Sequence, residues 1–179
     1  MRNDECGMRS AECGMRNADK RLRQRRYGAL IRPKAADLTR MDRDPLFEDW
    51  QKRAPRELRA DPIWRVTAYR LALYAVETGW NDARILDCRQ VTRPIGSQLY
   101  RALGSIPANI AEGYSRSSGL DRARLFEYGL GSVRESTCWY FAARPVLGQD
   151  VLEKRDPTLS QIRRLLLASI PIERHRPRL

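Results

Sequence analysis

Residues 101 to 116 read Arg-Ala-Leu-Gly-Ser-Ile-Pro-Ala-Asn-Ile-Ala-Glu-Gly-Tyr-Ser-Arg. Together with Gln98 and Leu99 just upstream, the series Ala102, Ser105, Ile106, Asn109, Ile110 and Gly113 recurs at three- and four-residue spacing, the period of one helix face. Into this run the sequence places Pro107, Asn109 and Glu112, which a plain core helix avoids. Proline in a helix interior removes a backbone donor and clashes with the preceding turn, at a cost of roughly 3 kcal/mol. Asn109 and Glu112 are costly to bury without partners. The stretch therefore reads as a helix with specific packing around it. Arg101, Asn109 and Glu112, joined by Glu135, are expected to form a buried or interfacial polar network that fixes helix register.

Working outward, three more helices follow from caps and periodicity. Asp61-Pro62 reads as N-cap plus proline at the first helical position, before Ile63, Trp64, Val66, Tyr69, Leu71, Leu73, Tyr74 and Val76, with Gly79 as the stop. That helix is apolar over most of its circumference, so one face needs a burial surface beyond the core, and a subunit interface would supply it. The second starts near Thr92 or Arg93, with Pro94 in its first turn. The third runs from about Leu120 to Arg144, carrying Ala123, Phe126, Leu130, Val133, Thr137 and Tyr140 on one stripe and the small residues Gly129, Ser132 and Ser136 on another. Asp156-Pro157 opens the last, which holds Leu159, Ile162, Leu165, Leu166 and Ile170 until Pro171. No strand emerges. Connections near 114 to 119 and 145 to 155 are short, which predicts an all-α, antiparallel up-and-down four-helix bundle over residues 61–171.

The flanks differ in kind. Met-Arg recurs at positions 1, 8 and 15 and Glu-Cys-Gly at 5 and 12. This seven-residue repeat has no apolar a/d pair, so residues 1–45 read as a low-complexity, basic, disordered extension, not a coiled coil. Translated repetitive DNA upstream of an initiator at Met41 is the other reading of that stretch. Residues 46–60 read as a linker or short helix, and 172–179 as a basic tail. Cys6, Cys13, Cys88 and Cys138 lack the spacing and histidine company of a zinc site or a disulfide framework.

The formal net charge of +12 and pI near 10.2 point to a polyanionic partner, nucleic acid ahead of an anionic membrane face. Arginines number 30 and lysines 4, a skew that GC-rich codon usage also produces. Residues 1 to 60 hold 16 basic and 10 acidic side chains and residues 61 to 179 hold 18 and 12, so the folded part carries its own positive excess. The candidate nucleic-acid contacts are Arg116, Arg122, Arg124, Arg163, Arg164, Arg174 and Arg176, with Arg178 in the tail; the run Lys20 to Arg26 would add to them. Trp64, Trp80, Tyr114, Trp139 and Tyr140 are candidates to stack on bases, but aromatics at helical spacing are more often core or interface; Trp64 and Trp139 read as packing residues and Tyr114 as the aromatic expected outside. No apolar run reaches the roughly 18 residues a span needs, and the N-terminus lacks an apolar signal, so a cytoplasmic location is expected.

The sequence resembles the 23S ribosomal RNA intervening sequence proteins, a bacterial family of small four-helix bundles. The resemblance rests on Gln98-Leu99-Tyr100-Arg101-Ala102, on Ser105-Ile106-Pro107-Ala108-Asn109-Ile110-Ala111-Glu112-Gly113 and on Gly131-Ser132-Val133-Arg134-Glu135. It implies an up-and-down bundle that assembles into a homopentameric ring. It also implies kinship in fold with the accessory protein of diversity-generating retroelements, a basic barrel that binds a reverse transcriptase and nucleic acid. Gly104 departs from the family pattern, and the acidic residue common between the first two helices has no match around Arg84 to Gln90.

Catalysis is not expected. Glu112 and Glu135 have no adjacent nucleophile, metal ligand or cofactor loop, and the only histidine, His175, sits in a proline- and arginine-rich tail. No catalytic, metal or cofactor-binding residue is assigned. The expected function is a homo-oligomeric bundle whose basic surface binds RNA or another nucleic acid through backbone contacts. The alternative is an interaction scaffold that docks a protein partner such as a reverse transcriptase.

Overall fold

A computed structural model describes residues 44–176. The repeats with Cys6 and Cys13, the run Lys20 to Arg26, Met41 and Arg178 lie outside the described residues. Among the described residues all regular structure is helical: α1 (Pro45–Arg53), α2 (Arg56–Ala60), a 3-10 turn (Pro62–Arg65), α3 (Thr67–Asp87), α4 (Arg93–Ser115), α5 (Gly119–Leu147) and α6 (Gln149–Arg174). The all-α expectation holds.

The four long helices form the core. Helix α3 packs on α4, α4 on α5 and α5 on α6, and α6 returns to α3. Consecutive helices run in opposite directions. Gly96, early in α4, lies against Ala83 and Leu86, late in α3, whereas Gly79 lies against Leu103. Gly113, late in α4, meets Phe126 of α5, and Gly129 meets Ile106 and Asn109. Leu71, Leu86, Leu99, Leu103, Ile106, Ile110, Phe126, Ile162 and Leu166 fill the centre, and each is essentially inaccessible to water. Each such side chain contributes about 1.5–3 kcal/mol by burial.

Several boundaries differ from those the sequence predicts, and each difference has a physical cause. Gly79 does not stop α3. A Cβ there would overlap Leu103 Cδ1, so the glycine allows close approach of α4 and the helix continues for two more turns. Asp61 is an N-cap, accepting from Ile63 N at 3.0 Å, but it caps the 3-10 turn, and α3 begins at Thr67.

The last helix opens at Gln149, not Asp156, because Gly148 (φ 83°) makes the whole turn from α5 in one residue. Pro157 and Pro171 then lie within α6 instead of bounding it. Both are exposed, so water reaches the carbonyls that lose an amide partner. Pro107 is buried, yet α4 runs unbroken from Arg93 to Ser115. Residues 45 to 60 form α1 and α2, and Phe47 and Trp50 of α1 join the core.

Candidate nucleic-acid interface

Arginine side chains make a phosphate-binding surface only where they reach water with hydrogen-bonding capacity to spare. Most of the predicted arginines are committed elsewhere. Arg122 is a correction: it is buried, its Nε donates to Glu173 Oε2 at 2.8 Å, and its Nη1 donates to the carbonyls of Arg116 and Ser117. It ties the start of α5 to the end of α6 because Gly119 lets the backbone of Glu173 come into contact. Arg176 pairs with the same carboxylate at 3.1 Å and is mostly covered. Arg116 is exposed and paired with Glu112, Arg174 with Glu127, and Arg124 with Asp121 at 3.4 Å.

Two further arginines lie on the outer face of α6. Arg163 and Arg164 are exposed there, and Arg163 donates to Ser160 Oγ at 3.2 Å. The pair between Glu127 of α5 and Arg174 of α6 sets the register of these antiparallel helices. Two turns beyond Glu127 on the same edge of α5 is Arg134, and two turns before Arg174 is Leu167, with Arg163 and Arg164 one turn further. Arg134, exposed and absent from the sequence-derived set, therefore lies level with Leu167, about one turn short of Arg163 and Arg164. The described residues hold 21 basic and 16 acidic side chains, a net of +5 out of +12. More of the excess charge lies on residues outside the described range than within it.

The expected polar network is not one buried cluster within the chain. Arg101 approaches Glu135 at 3.7 Å with both side chains largely exposed, and Glu135 also accepts from Trp139 Nε1 at 3.2 Å. Asn109 Nδ2 donates to the Ser105 carbonyl at 2.8 Å, one turn back, and Glu112 pairs with Arg116. These are local contacts along α4 and along α5, with Arg101 to Glu135 as the single link between them. Local bonds satisfy the polar groups without burial, which is why the helix tolerates them.

Buried polar groups instead gather where sequence reasoning did not look. Asp82 of α3, only 3% exposed, accepts from Tyr140 Oη at 2.9 Å and from Arg155 Nε at 2.8 Å, while Arg155 Nη2 also reaches the Thr78 carbonyl at 3.2 Å. Burial, reinforced by the adjacent Asp82 carboxylate, raises the Tyr140 phenol far above its ordinary range. The residue stays a hydrogen-bond donor. Only the pairing of an aspartate with an arginine 73 positions away would have revealed this cluster.

The aromatics divide differently from expectation. Trp64 and Trp139 pack against the core and Tyr140 is buried, but Trp80 is half exposed, edge-on to Tyr100 at 5.2 Å. Tyr114, expected outside, packs against the core, and its burial raises its pKa. Among the described residues no three metal-ligating side chains converge, and no helix is long and apolar enough to cross a membrane.

Fold and surface define an all-helical protein built on four long helices, with Arg163 and Arg164 exposed on the last of them. Residues 88–168 match the family described as 23S rRNA-intervening sequence protein. The match begins just after α3 and spans all of α4 and α5 and most of α6, including the stretch around Pro107. No curated protein and no solved structure matches the chain.

Proposed function

We propose that the protein is a non-enzymatic, homo-oligomeric bundle, a pentamer by family resemblance, that binds RNA through phosphate contacts. The observation that carries the reading is the exposure of Arg163 and Arg164, adjacent on α6, and of Arg134 on the neighbouring α5, in a chain of net charge +12. The residues before the bundle would supply further sequence-independent charge. Exposed Leu120, Tyr128 and Phe141 on α5 favour burial against another subunit, since this helix is apolar on the side facing the core and again on the outside.

Titrating the full-length protein with a short RNA over a range of salt concentrations tests the binding. Several contacts predict a log–log slope of about −0.7 per phosphate neutralised on single strands, and Arg163→Glu with Arg164→Glu should flatten it without lowering the melting temperature. Salt-independent or absent binding rejects the reading and favours the scaffold, for which the exposed α5 residues would dock a protein. Mass measurement of the purified particle decides the assembly.

A further inference from the structure

Helix α1 has the make-up of a detachable ligand. It carries its own start and stop signals: Asp44 caps it by accepting from Leu46 N at 2.9 Å, Pro45 opens it, Glu48 lies in the first turn, and Lys52 and Arg53 lie in the last. Its attachment is concentrated in two side chains three residues apart. Phe47 and Trp50 are buried, whereas Leu46, Glu48, Asp49, Lys52 and Arg53 face water.

The receiving surface is equally specific. Trp64 and Tyr74 form an aromatic cleft around the anchors, with ring centroids 5.4 Å from Phe47 to Tyr74, 5.5 Å from Trp50 to Tyr74 and 5.9 Å from Trp50 to Trp64. Glu77, one turn along α3, accepts the Trp50 indole N–H at 2.6 Å. An isolated helix of nine residues is well below the ~12–15 at which helices become marginally stable in water, so α1 is helical because it is docked. Its tether is loose, since α2 buries no side chain. The exposed stretch from Pro55 to Asp61 could extend to roughly 23 Å at ~3.3 Å per residue.

From these features we infer that the Trp64–Tyr74–Glu77 cleft is a helix-docking site, filled in cis by α1 and open in trans to the α1 of a second copy. The anchors at i and i+3 give the recognition pattern of a helix in a groove. The exposed tether from Pro55 to Asp61 makes exchange of an identical element between copies geometrically available. Docking also fixes where the preceding 43 residues, with 12 basic and 6 acidic side chains, join the bundle.

The test uses a fluorescent peptide with the sequence of residues 44–60, read by anisotropy against the full-length protein. Wild type keeps the cleft filled, which lowers its apparent affinity in proportion to the fraction open. Trp50→Ala empties it and should bind the peptide at least ~10-fold more tightly than wild type does. A peptide carrying Trp50→Ala should lose binding. Equal affinity for the two proteins, or binding to neither, overturns the proposal. Hydrogen exchange on the wild type is independent of any variant: α1 amides should exchange by local opening, well before those of α4. Exchange of α1 only with global unfolding overturns it as well.

Discussion

Glu112 and Glu173 are both helical glutamates with an arginine one turn ahead, Arg116 and Arg176, yet the Glu112 side chain is 52% exposed and that of Glu173 is 0%. Spacing along the helix is nearly the same; the difference is the third partner. Glu173 also receives Arg122 from α5, and Gly119 removes the side chain that would hold the two helices apart. Glu112 has only its helical neighbour. A charge is buried where two elements converge on it with donors, and local sequence pattern does not report that.

The sharpest way to break the comparison is to remove Glu173. Glu173→Ala leaves Arg122 and Arg176 covered without their shared carboxylate, and breaking a buried pair in this way costs about 3–5 kcal/mol. Urea unfolding should show a lower midpoint with an unchanged slope. A loss no larger than that of a surface pair would mean that water already reaches the site.

Tyr140→Phe probes the other buried cluster at smaller cost, because Arg155 still donates to Asp82 at two positions. Loss of one neutral donor predicts about 1 kcal/mol at neutral pH. The raised phenol pKa adds a sign. The folded state keeps the Tyr140 proton more tightly than the unfolded chain, so its contribution is complete below the ordinary tyrosine value near 10 and falls as pH rises beyond it. Phenylalanine has no proton to lose. The stability gap between wild type and Tyr140→Phe should therefore narrow in urea titrations carried from neutral pH to about pH 11, and a constant gap would place the phenol in contact with water.

How much was legible follows the same division between local and long-range. The start of α4 near Arg93 and of α5 near Leu120 could be read because periodicity and loop chemistry are properties of neighbouring residues. Gly79 and Pro157 misled because each has two uses. A glycine ends helices or lets them touch, and a proline opens them or sits on their wet side. Only the helix packed alongside decides. The site suffered more: Arg122 looked like surface charge and is internal, while Arg134 emerged about one turn from Arg163 and Arg164 only after the register of α5 on α6 was known. Asp82 with Arg155 and Arg122 with Glu173 are 73 and 51 residues apart, separations at which no pattern along the chain connects them.

Glu112 carries the smallest expected effect and tests the most about the stretch that decides the fold. The sequence pattern suggested a buried carboxylate whose removal would cost several kcal/mol; the exposed pair with Arg116 predicts no more than about 0.5 kcal/mol for Glu112→Ala. That value belongs to the single chain. If the bundle self-associates through the outer face of α4, Glu112 becomes covered in the assembly and its loss registers there, as a lower sedimentation coefficient at a given protein concentration, while the unfolding midpoint of the dilute chain stays put. A shift in both readouts would restore the buried network at the Pro107 stretch, a shift in neither would leave Glu112 a solvated residue on a free face, and a shift in sedimentation alone would place the subunit contact on α4.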